Sequence, residues 1–311
     1  MTDRRGTAVF RCPTASRISR IPYGLEHGDA ENTVIKCRKL IHYASDIGLA
    51  MAKAQEYIRS LAAAGRYNFS TADMAAALGI SHNAVRLSLH RLAKQGLVAS
   101  PARGFYIIIP PEYRRLGSLP ADQFLPAMME WRKIRYYAGL LTAAQYHGAA
   151  HHRPQMFQAM VEKNERPIDV GSVRIRFIAR KRLRRVPVQS FNTPRGTINV
   201  STAEATAVDL SGYPQHAGGL DQVATVLIEL AEKLDGKRLV RAARTAPLPW
   251  VQRLGYLLDL VGAKEPASAL KKYVQGHVRD WTPLVPSISF GRARRAPDWL
   301  LFANARVEPE A

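Results

Sequence analysis

Cysteine is nearly missing from this chain: Cys12 and Cys37 are the only two, and none follows them. That excludes a disulfide-stapled scaffold and points to a reducing compartment, the cytoplasm. Long apolar runs are also missing. The strongest, Phe105 to Ile109, has the length of a strand and falls far short of the roughly 18–20 residues that span a bilayer, so no membrane association is expected. Arg4, Arg5, Arg11 and Arg17 are followed by no apolar h-region, which argues against a secretory signal. Acidic residues are scarce, with 25 Asp+Glu against 45 Lys+Arg, a net charge of +20 and a pI near 10.3. An excess of that size concerns partners rather than fold, and nucleic acid is the commonest polyanion. What is present suffices for a core: 47% of the residues are apolar, which excludes wholesale disorder. A chain of 311 residues corresponds to two domains.

Composition divides the chain. Residues 1–50 mix Arg, Pro, Gly and Ser with few periodic apolar positions and read as a poorly ordered arm with one short helix around Val34 to Ile47. Met51 opens a clean helical pattern and is an alternative start of the protein. From there Ala54, Tyr57, Ile58 and Leu61 recur at helical spacing, and Gly65 is a stop. A second helix spans Thr71 to Leu78, and a third is capped by Ser81 and ended by Gly96. Leu97–Ser100 and Phe105–Ile109 flank the turn Pro101-Ala-Arg-Gly104 as a hairpin, and Pro110-Pro111 closes the domain. Beyond Leu116 the pattern predicts helices at Phe124–Trp131 and Tyr136–His147, then strands at Gln155–Val161, Val173–Ile178, Val186–Phe191 and Thr197–Val200. Only helices are expected after Thr202. The expectation is thus an α+β protein: an arm over 1–50, a winged helix-turn-helix over 51–115, a mixed α+β domain over 116–300 and a tail over 301–311.

Helix, glycine turn, helix and hairpin over residues 71–109 form the layout of a winged helix-turn-helix. Ala75 offers the small side chain where two steeply crossed helices touch, Gly79 tolerates positive φ, and Val85 plugs the second helix against the first. At about 100° per residue, Asn83, Arg86, His90 and Lys94 share one stripe of the third helix, opposite Val85, Leu89 and Leu92. Asn and Arg at such positions read adenine and guanine in a major groove. Ser81 and His82 lie at the helix N-terminus, which favours a phosphate. Thr71 opens the preceding helix, Arg91 adds charge, and Arg103 sits in the wing turn. No Asp or Glu occurs from Met74 to Pro111. These nine residues (Thr71, Ser81, His82, Asn83, Arg86, His90, Arg91, Lys94 and Arg103) are the candidate DNA contacts. The same fold can instead serve protein contacts with the basic stripe merely solvated.

In the second half, Arg174, Arg176, Arg180, Lys181, Arg182, Arg184 and Arg185 crowd together, and no acid occurs between Asp169 and Glu204. They are candidates for secondary phosphate contacts, for docking an acidic partner, or for guarding an edge strand with charge. His147, His151 and His152 suggest a metal, but no cysteine or spaced carboxylate completes a tetrahedral set, so packing is the preferred reading and no metal or cofactor is expected. Asp209 and Glu204 share a helix with no partner evident, no Walker-type loop is present, and no catalytic residue is assigned. Gly218-Gly219 reads as a tight entry turn to a helix.

From Met51 to about Gly262 the chain resembles the AbiEi-type antitoxins. The resemblance rests on the helix-turn-helix with its hairpin, on Phe105-Tyr-Ile-Ile-Ile-Pro-Pro-Glu-Tyr113, and on Tyr137-Ala-Gly-Leu-Leu-Thr-Ala-Ala-Gln-Tyr-His-Gly-Ala-Ala150. It continues through Phe191-Asn-Thr-Pro-Arg-Gly196, Ser201-Thr-Ala-Glu-Ala-Thr-Ala-Val-Asp-Leu210 and Gly218-Gly-Leu220. It implies an N-terminal winged helix that binds inverted repeats in its own promoter as double-stranded operator DNA and represses transcription, with a dimer on paired half-sites. It also implies a C-terminal antitoxin domain that neutralises a cognate nucleotidyltransferase-like toxin, and no catalysis by this chain. A nuclease or a scaffold delivered by the winged helix is the alternative.

Overall fold

A computed structural model of the protein describes residues 51–149 and 155–309. The expectations for residues 1–50, and for His151 and His152, lie outside the described residues. Every element from the first strand onward belongs to one compact unit, which begins at Ile58. Residues 51–63 are helical (α1).

A short strand, β1 (Asn68–Ser70), leads into α2 (Thr71–Leu78). Ser70 and Asp73 form a reciprocal capping box at the start of α2, satisfying two orphan N–H groups. Gly79 ends it at φ 61°, a left-handed conformation in which a side chain would be strained. Ser81 then caps α3 (His82–Lys94) by accepting from the Ala84 N–H. The strands β2 (Val98–Ala102) and β3 (Phe105–Ile108) form a hairpin, and β1 pairs with β3, giving the order β1-β3-β2.

The next elements are α4 (Ala121–Trp131), β4 (Tyr136–Ala138), α5 (Leu140–Tyr146), β5 (Phe157–Val161), β6 (Ile168–Val170), β7 (Val173–Ala179), β8 (Val188–Thr193) and β9 (Gly196–Ser201). Their strands make one mixed sheet, β6-β7-β5-β4-β9-β8, in which β5–β7 and β4–β9 are parallel. Side chains alternate across it as strand geometry requires. Ala159 and Val161 of β5 join Phe124, Leu125, Met128 and Met129 of α4 on one face. Met160, between them, joins the helices on the other. Those helices are α6 (Ala203–Gly212), α7 (Leu220–Ala231), α8 (Gly236–Ala243), α9 (Leu248–Leu260) and α10 (Lys264–His277). A three-stranded sheet of β10 (Thr282–Pro283), β11 (Arg294–Ala296) and β12 (Leu301–Ala303), ordered β10-β12-β11, completes the described chain.

The protein is therefore mixed α+β, and it departs from the sequence expectation in several places, the strand β6 being one that was not expected. Tyr136–His147 is not one helix: a strand of two tyrosines and an alanine precedes α5, and the chain turns at Gly139 and Leu140, the latter at φ 52°. Gly139 is required there, since a Cβ would come within 2.5 Å of Met160 Cγ. The segment after Thr202 is not all helical, because β10–β12 follow α10. Residues from 301 are not a tail either. Leu301 is fully buried on the central strand of that last sheet, and Trp299 packs so closely over Gly255 of α9 that a Cβ on that glycine would lie 2.0 Å from the indole.

Candidate nucleic-acid interface

Helix α3 divides sharply between its two sides. Val85, Leu89 and Leu92 are buried to within 1%, a pattern set by their spacing of four and three. Asn83, Arg86, His90 and Lys94 project to solvent, and none of them has a side-chain hydrogen bond or ion pair among the described residues. No carboxylate belongs to the segment, and Asp73, just ahead of it, is engaged by Arg66 at 3.1 Å and by the Ser70 N–H. Leu87, half exposed, interrupts the polar flank. His82 is exposed at the first turn, Ser81 is also exposed but occupied as the N-cap, Arg91 is half-buried, and Arg103 is exposed in the turn between β2 and β3.

Thr71 is placed differently from the expectation. Its side chain is half-buried and its hydroxyl lies 3.4 Å from the Gly104 carbonyl, tying the start of α2 to the hairpin turn instead of facing outward.

The hairpin is held from behind by residues that sequence reasoning missed. The Trp131 ring lies 5.5 Å from that of Phe105 and against Gly104. The Arg195 guanidinium sits 3.5 Å over the Tyr67 ring and donates through Nε to Gln123 at 2.8 Å. Arg195 carried a signal only as part of the turn Thr193–Gly196; its contact with Tyr67 joins residues far apart in the chain and has no local signature.

The basic run of residues 174–185 is not one patch. Strand β7 separates Arg174 from Arg180 by about 20 Å at roughly 3.3 Å per residue. Arg176 pairs with Asp169 at 2.8 Å and Arg184 with Glu162 at 3.0 Å, so acids from outside the run neutralise part of it. Arg180 cannot contact phosphate at all. It is 2% exposed, its Nε donates to Asp209 at 2.6 Å, and its other nitrogens donate to the Lys181 and Thr245 carbonyls and the Thr245 hydroxyl. Arg174, Lys181, Arg182 and Arg185 remain as exposed cations.

Asp209, expected to lack a partner, is the centre of this buried network. The Tyr137 hydroxyl donates to its second oxygen at 2.6 Å. Burial pushes the carboxyl up from its ordinary range, and Arg180 and Tyr137 pull against that rise. Glu204, on the same helix, is paired with Arg238 at 2.9 Å. A second buried arginine, Arg253, donates to the Leu284 and Ser211 carbonyls. Tyr137, Arg180 and Asp209 tie the sheet to the helices packed on it. Among the described residues no group of three or more His, Cys, Asp or Glu side chains converges to hold a metal ion. Among the same residues no helix is long and apolar enough to cross a membrane.

His147 is buried, its Nε2–H donating to the Ser201 carbonyl at 2.7 Å. Burial holds its pKa below the ordinary imidazole value, with the Lys233 charge assisting. The unfolded chain therefore takes up a proton more readily than the native one. The stability this provides is complete above about pH 6.5 and is lost as pH falls through the depressed native value. His147→Gln keeps a donor without the titration. Its melting temperature is expected to fall less than the wild type's between about pH 7.5 and pH 5; parallel declines would assign the acid sensitivity elsewhere.

Comparison with known proteins agrees with this architecture. Residues 137–260, from the Tyr137 that binds Asp209 to the end of α9, match the family model of the AbiEi antitoxin C-terminal domain. Over those residues the chain is similar to the C-terminal domain of the AbiEi antitoxins. Among solved structures, the RV2827C protein from Mycobacterium tuberculosis is similar over 80% of this chain and 90% of its own, at 18% identity and a TM-score of 0.57, a likeness of fold. An antigenic nucleotidyltransferase-like protein from Paracoccidioides brasiliensis aligns over 49% of this chain and 90% of its own, at 10% identity and a TM-score of 0.30, too remote to bear on the fold or the function. A search of curated proteins finds no match.

Proposed function

We propose that residues 51–115 are a winged helix-turn-helix with which this antitoxin binds double-stranded DNA of its own promoter and represses transcription. The C-terminal domain, on this reading, neutralises a cognate nucleotidyltransferase-like toxin. One observation carries the DNA assignment: α3 seats an apolar side on the domain and turns outward a cationic flank with no carboxylate in its segment. Lys94 and the exposed cation of the hairpin turn, Arg103, supply salt-dependent phosphate affinity. Asn83 and Arg86 supply base discrimination through bidentate contacts. One such module covers a single half-site, so two copies on an inverted repeat give the operator its affinity. No catalytic step is assigned to the chain.

Arg86→Ala is expected to reduce the preference for promoter duplex over a scrambled duplex by about 1–3 kcal/mol while leaving general DNA binding largely intact. Competition binding at fixed salt measures this directly. An unchanged ratio would remove Arg86 from base reading and α3 from the operator.

A further inference from the structure

The segment beyond the matched antitoxin domain carries a surface of its own. In the last sheet Leu301 points inward and is fully buried, so its neighbour Phe302 projects from the opposite face. Arg295 stands directly across from Phe302 in the β11–β12 register. The Trp281 and Phe290 rings lie 5.1 Å and 5.0 Å from the Phe302 ring, the second stacked on it at 26°. The Arg295 guanidinium is 5.7 Å over Trp281. Phe290 and its neighbour Ile288 are 44% and 45% exposed, unusually open for side chains of that size.

Charge follows the same edge. On the other side of β11, Arg294 joins Arg292, Arg306 and Tyr256 around an open cavity of 840 Å³ with no carboxylate in its lining. Asp298 is taken up by Lys271, and Glu308 by Arg306. The face is also fixed in place. Trp299 is seated over Gly255, and Gln252 of α9 donates to the Asp280, Trp299 and Leu300 carbonyls.

An exposed Phe290 ring stacked on the half-buried Phe302, beside the half-buried Trp281 with Arg295 over it, suits an unpaired base and its phosphate, whereas a duplex hides its base faces. We infer that the Trp281–Phe290–Phe302 face, with Arg295, binds single-stranded nucleic acid by base stacking. This surface is separate from α3 and does not depend on the promoter reading.

The test uses the full chain, a labelled uridine oligomer of about 12 nucleotides and an abasic oligomer of the same length and charge. Wild type is expected to bind the uridine oligomer about tenfold more tightly than the abasic one. Phe290→Ala is expected to abolish that preference while keeping the abasic affinity and the promoter-duplex affinity. Arg295→Gln is expected to lower the salt slope on both oligomers by about one. Equal wild-type affinity for the two oligomers overturns the inference, as does a preference that survives Phe290→Ala.

Discussion

Replacing Asp209 by alanine is expected to lower the unfolding free energy by about 3–5 kcal/mol, the cost of leaving a buried ion without its partner. Arg180 lies against Asp209 at 2.6 Å with almost no access to water, and the Tyr137 hydroxyl would lose its acceptor at the same time. The network joins the mixed sheet to the helices: Tyr137 on β4 and Arg180 at the end of β7 meet Asp209 on α6, with Thr245 beyond α8 receiving the guanidinium. Its value lies in being complete. Asp209→Ala combined with Arg180→Met is therefore expected to recover much of the loss, because removing both charges spares the desolvation that the single variant leaves uncompensated. Urea unfolding of the three proteins decides it. A single-variant loss below about 1 kcal/mol would mean that the guanidinium finds water and that the pair is not sealed.

Residues 51–115 expressed alone are expected to show no cooperative thermal transition and no promoter binding. The hairpin strand β3 does not complete its core within that segment. Phe105 and Ile107 are buried in one cluster with Leu119, Phe124, Leu125, Met128, Met129 and Ile175, and Arg195 reaches back over Tyr67. Exposing two such side chains forfeits about 1.5–3 kcal/mol each, against the 5–15 kcal/mol that holds a typical domain together. A fragment of that length has little to spare. A sharp melting transition with retained promoter affinity would show the two parts to be independent modules.

That shared core also marks where sequence reading ends. The expectations for α2, α3, Gly79 and the hairpin rested on local rules, such as the cap at Ser81, the φ demanded at the turn and the three-and-four spacing of Val85, Leu89 and Leu92. Each is visible within a few residues, and the cationic flank of α3 was legible for the same reason. Contacts that depend on the fold were not. Arg180 looks in sequence like its basic neighbours, and only the arrival of Asp209 from 29 positions away makes it a buried ion instead of a phosphate ligand. Thr71 gave no local sign that its hydroxyl would meet Gly104. Tyr136–His147 fits a helical period, yet its first residues pair with β5, because the alternation of a three-residue strand is too short to register. The last sheet was missed for that same reason, its strands spanning only two or three residues.

The most direct measurement places a photo-crosslinking benzoylphenylalanine at His90 on the outward flank of α3 and, separately, at Ile228, which is 43% exposed on α7. Both proteins are irradiated with promoter duplex at moderate salt. Strong crosslinking from position 90 and none from position 228 is the predicted result. No duplex adduct from position 90, or equal yields from both, would contradict a DNA-gripping flank on α3.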